Sequence, residues 1–103
     1  MLDISTLELH DTRILRVTED TSADQLIMDV DYPADWFESR YEARRLAFTD
    51  AFNYQVHEGP FAGVPTILRV QVVGGEDGWT RLRLETNAGF REVSCKSVEL
   101  IRA

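Results

Sequence analysis

Apolar residues in this chain recur with a period of two far more often than with the 3.6 of a helix, which predicts a mainly β protein. Arg13, Leu15 and Val17 share one parity, with Ile14 on the other; Leu26, Met28, Val30 and Tyr32 then alternate with Ile27, Asp29 and Asp31. The polar run from Glu19 to Asp24 between them reads as a turn, so the two segments form a first hairpin. Pro33 closes the second strand, and Asp35 is placed to cap a short helix near residues 36–45, with Phe37 and Tyr41 packing inward. Alternation resumes at Leu46, Phe48, Phe52, Tyr54 and Val56, a long strand with a bulge or bend near Asp50.

The loop at residues 59–65 leads into two strands, 66–73 and 79–86, around the turn Gly74-Gly75-Glu76-Asp77-Gly78. Pairing Val73 with Trp79 sets Val70 opposite Leu82 and Leu68 opposite Leu84 on a core side. Arg69 then faces Arg83, and Gln71 faces Arg81, on the other. A last strand follows a turn near residues 87–90; the core pattern sets Leu84 against Val93 and Leu82 against Cys95, with Arg81 meeting Lys96 outside. A change of parity near Ser97 implies another bulge before Val98, Leu100 and Ile101. The expectation is one domain over residues 1–103, with about six antiparallel strands in a meander or half-barrel and the one short helix.

Length and composition narrow the class. A chain of 103 residues supports one core. No run approaches the roughly 20 apolar residues of a membrane span, and the start lacks a signal-peptide pattern, so the expected location is cytoplasmic. The single cysteine, Cys95, fits a reducing compartment and a core position. Net charge is −7, and residues 1–58 carry thirteen acids against five bases. That balance argues against nucleic acid or an anionic membrane as partner and favours a basic protein.

Two charged surfaces are the candidate binding sites. Asp24, Asp29, Asp31 and Asp35 lie in a stretch between Arg16 and Arg40 that has no base, and they form an acidic face for a basic partner. Arg69, Arg81, Arg83 and Lys96, with Trp79 at the edge, form a basic face for an anion, an acidic partner or a second copy, unless Glu85, Glu92 or other acids bridge the arginines. Monomer and homo-oligomer are both compatible with this pattern.

Catalytic chemistry finds little support. His10-Asp11 and His57-Glu58 are adjacent pairs, whose side chains point to opposite faces of a strand. Ser94 and Cys95 lack a nucleophile elbow. The Asp29–Asp31 pair departs from the calcium-loop pattern, and no zinc spacing occurs, so neither metal nor cofactor is expected. A small hydrolase using His10, Asp11, His57 or Glu58 would need partners that the sequence does not supply.

Three segments carry a resemblance: Leu9-His10-Asp11-Thr12-Arg13-Ile14-Leu15, Leu46-Ala47-Phe48-Thr49-Asp50, and the stretch from Phe90 to Leu100 with Glu92, Cys95 and Glu99. Together they are similar to a group of small bacterial β proteins that includes immunity proteins of polymorphic toxin systems. The resemblance implies a non-enzymatic domain that binds a cognate toxin, often a basic nuclease, and transfers no catalytic residues.

Overall fold

A computed structural model describes residues 4–35, 37–60 and 63–102; Trp36 and Phe61, whose burial the sequence leaves undecided, lie outside the described residues. The chain forms eight strands: β1 (Arg13–Asp20), β2 (Gln25–Asp35), β3 (Arg40–Thr49), β4 (Phe52–Glu58), β5 (Ile67–Glu76), β6 (Trp79–Thr86), β7 (Gly89–Cys95) and β8 (Ser97–Arg102). They make two antiparallel four-stranded sheets, ordered β1-β2-β3-β8 and β4-β7-β6-β5. The core between them is Ile14, Leu26, Met28, Val30, Leu46 and Phe48 from the first sheet and Ile67, Leu82, Leu84, Val93 and Cys95 from the second, with Leu9 at the rim.

Eight strands replace the expected six because two long segments bend. β3 pairs with β8 from Arg44↔Arg102 to Thr49↔Ser97, and Phe52↔Ser94 continues the same register into β4 and β7. One antiparallel ribbon therefore crosses from sheet to sheet, bending at residues 50–51 on one strand and at Lys96 on the other. Asp50 takes the left-handed φ of 52°, and the Lys96 amide donates to the Thr49 carbonyl across the bend. On the opposite side the sheets meet where the Ile67 amide donates to Thr12 and the Ile14 amide to Pro65.

No helix occurs among the described residues. Asp35 does accept the amides of Phe37 and Glu38, at 3.0 and 3.2 Å, but these bonds close a tight turn and not a helix start. Residues 40–49 have helix-compatible side chains, yet Leu46 and Phe48 bury only if they pair as strand against Met28 and Leu26, and tertiary pairing overrides propensity. Phe37 is fully exposed, and Tyr41 lies on the outer face beneath the Arg13 guanidinium, 3.9 Å from the ring centre.

Both later hairpins shift by two from the expected register. Asp77 and Gly78 adopt φ of 55° and 88°, a two-residue turn matched to strand twist, so β5 continues through Gly74, Gly75 and Glu76. Gly75 is required there, since a Cβ would stand 2.6 Å from the Trp79 carbonyl oxygen. A shift of two keeps each side chain on its face but changes its partner: Val70 faces Leu84, Arg69 faces Glu85, and Gln71 faces Arg83. Asn87-Ala88 is likewise a two-residue turn, giving Leu82↔Val93, Arg81↔Ser94 and Arg83↔Glu92. Leu68, expected inward, sits at a strand irregularity and is exposed, as is Leu15.

Candidate functional site

The outer face of the second sheet gathers the predicted basic residues, and the corrected register supplies their acids. Glu92 lies between two arginines, 3.3 Å from Arg81 Nε and 2.6 Å from Arg83 Nη2. Burial would raise its carboxyl, but Arg83 and Arg81 hold it below the usual range. Glu85 pairs with Arg69 through both oxygens and is held low by that contact. Arg81 also donates to the Asn53 carbonyl at 2.6 Å and to Ser94 Oγ at 3.2 Å, so its guanidinium is committed within the protein. Arg83 stacks on Phe90, whose ring also lies against His57 at 4.7 Å.

The acidic residues do not form one patch. Asp29 is bracketed by Arg16 on β1 and Arg45 on β3, at 3.0 and 3.1 Å, bases that only strand pairing brings beside it; Arg45, then Arg16, hold its carboxyl low. Asp31 shares that outer face. Asp24 sits in the β1–β2 turn with φ of 52°, and Asp35 at the opposite end of β2.

Of the predicted surfaces, Asp24 from the acidic set and Trp79, Arg81 and Lys96 from the basic set come near Phe52. Asp50 and Asn53, both left-handed, flank the corner, and a bulge between Phe52 and Gln55 turns Phe52 outward while Tyr54 packs against the core. Phe52 is 53% exposed and packs edge-on against Trp79, with ring centres 5.8 Å apart. The Trp79 indole N–H donates to the Asp50 carbonyl at 2.9 Å, and Lys96 Nζ covers the ring at 4.2 Å. A cleft of about 230 Å³ opens on one side of Phe52, lined by Glu19, Asp20, Asp24, Leu26 and Tyr54 among others. A second, of about 420 Å³, opens on its other side, against Glu76, Asp77, Trp79 and Arg81. Asp20 is held below its usual range by the Ser22 hydroxyl and the Ala23 and Ser22 amides, and stays ionised in its turn.

Phe52 itself escaped the sequence reading, which set it in line with the core. The available signal was Asp50 and Asn53, residue types that tolerate left-handed backbone, bracketing an aromatic. The histidine pairs stay apart from this corner. His57 is on the outer face and Glu58 on the inner, bound to Arg91; His10 is exposed, with Nδ1 3.5 Å from Asp11. Cys95 is fully buried, and burial pushes its thiol up to about 11. Among the described residues no group of three or more His, Cys, Asp or Glu could hold a metal ion, and no helix is long and apolar enough to cross a membrane.

No protein-family model matches the chain, and no curated protein matches it. The crystal structure of an uncharacterized protein from Neisseria gonorrhoeae is similar in fold, with a TM-score of 0.60 over 90% of this chain and 92% of that one, at 9% identity. At that identity the likeness extends to the fold alone.

Proposed function

We propose that this chain is a non-enzymatic protein-binding module of the immunity type, which docks a basic protein at the Phe52–Trp79 corner. The observation that carries the reading is an exposed Phe52, packed edge-on against a half-buried Trp79, between two clefts whose rims carry acids. Phe52 and Trp79 have the geometry of binding anchors: large rings, fixed by the Asp50 carbonyl and the bulge, that lose little conformational entropy when covered. Glu19, Asp20 and Asp24 on one side, with Glu76 and Asp77 on the other, would steer a basic partner, in keeping with the net charge of −7. Because Glu85 and Glu92 already occupy the arginines of the second sheet, an anion site on that face is the weaker reading.

The test compares the tagged native protein with Phe52→Ala, an exposed position whose truncation leaves the core intact. Native protein should capture a basic protein from lysate of the organism that carries the gene, with capture falling as salt rises. Phe52→Ala should bind it at least tenfold more weakly while melting at the native temperature. Equal capture by both forms would remove the corner as the docking site.

A further inference from the structure

The far end of β3, opposite the Phe52 corner, carries an arginine cluster in which, among the described residues, Glu42 is the acid that forms ion pairs. Alternate β3 residues face inward: Phe48 and Leu46 fill the core, and the same face continues as Arg44, Glu42 and Arg40. Pairing with β8 then places Arg102 directly opposite Arg44, a like-charge rung that is unfavourable unless something lies between the two. Glu42 is the acid among them. One of its oxygens takes Arg44 Nη2, and the other lies 3.6 Å from Arg40 Nη2. Asp35, across from Arg40, spends an oxygen on the amides of Phe37 and Glu38.

Comparison within the molecule makes the imbalance plain. Asp29 serves two arginines, Glu92 serves two, and Glu58 and Glu85 serve one each. Glu42 likewise serves two, Arg44 and Arg40, and is held below the usual carboxylate range by Arg44 first; among the described residues no ion pair is found for Arg102, the third arginine of the cluster. Arg44 is partly sheltered, with 22% of its side chain exposed, and its second Nη donates to the Ala43 carbonyl at 3.0 Å, whereas Arg102 is open to solvent.

We propose that the Arg44–Arg102 rung, with Arg40 beside it, binds a phosphoryl oxyanion, whose several acceptor oxygens bridge the two guanidiniums. Planar guanidinium forks match phosphate oxygens in pairs, and an anion between facing arginines converts repulsion into two charge-assisted contacts. The site is distinct from the Phe52 corner and does not depend on what binds there. Free phosphate and a phosphate monoester present the same group.

Titration with millimolar inorganic phosphate, against chloride at matched ionic strength, tests the site through the arginine Nε–H resonances. In the native protein, phosphate should shift the Arg44 and Arg102 signals saturably and leave Arg69 unmoved. Arg102→Gln should weaken binding on the order of tenfold, and Arg69→Gln, which removes an arginine already matched by Glu85, should leave it unchanged. Glycerol phosphate separates the sources: tighter binding than phosphate means that the group is taken on a larger molecule, and weaker binding means the free ion. No saturable shift, or an equal response in Arg102→Gln, would overturn the proposal.

Discussion

The two faces of the second sheet use the same chemistry in different settings. On the inner face, Arg91 stands opposite Leu84 on one side and Val56 on the other, at a position that reads as core. It makes two 2.8 Å bonds to Glu58, one to each oxygen, and donates to the Tyr54 hydroxyl at 3.0 Å, while Thr86 donates to Glu58 at 3.0 Å. Only 12% of the arginine and 9% of the glutamate side chain is exposed. On the outer face, Arg83 keeps 35% of its side chain in water above Glu92. The difference teaches that an ion pair matters to folding when its remaining donors and acceptors are also satisfied and water is excluded.

Cutting one partner from each face is the most direct way to break the comparison. Arg91→Ala strands Glu58 behind Tyr54 and should cost about 3–5 kcal/mol, a fall in melting temperature on the order of 10–20 °C by calorimetry. A loss no larger than that of an exposed pair would show that water reaches the site.

Acid sharpens it next. Arg91, with help from Thr86, holds Glu58 below its ordinary value of 4.5. A depressed folded value means that the stabilisation is in place above the unfolded value and is lost as pH falls through the folded one. Without Arg91, burial raises Glu58 against the weaker opposing pull of the Thr86 hydroxyl, so the deficit of Arg91→Ala should be greatest near neutral pH and narrow below about 4.5. Chemical denaturation at several pH values reads this; a deficit independent of pH would assign the cost to packing. The smallest effect belongs to Arg83→Ala, where screening by solvent leaves about 0–1 kcal/mol, read in the same denaturation series.

Much of this architecture was legible in the sequence, and the failures share a cause. The first hairpin, the bend near Asp50 and the parity change near Ser97 follow from alternation, because a one-residue slip would expose Met28 or Phe48. Alternation is blind to a slip of two, which preserves every face. Only turn chemistry decides it, and Asp77-Gly78 is a two-residue hairpin signal embedded in a longer glycine-rich run. That slip changed the meaning of the basic face, from arginine facing arginine to arginine facing Glu85 and Glu92. The helix failed for a related reason, since one aspartate signal serves both a helix cap and a tight turn. Phe52 was out of reach because periodicity presumes a regular strand, and the site is where the strand is irregular. Asp29 looked free because its arginines lie thirteen and sixteen residues away along the chain.

The ribbon shared by the sheets also bears on how the molecule assembles. Its rungs join residues as distant as Arg44 and Arg102, so closure must wait for almost the whole chain. The first sheet is not a contiguous stretch of sequence, since it needs β8 from the C-terminal end, whereas the second is the unbroken run from β4 to β7. Such topology places folding in the slow, millisecond-to-second range of non-local β proteins. The shared ribbon also couples the two sheets, so slow amide exchange at Leu46 and Val93 should be lost together.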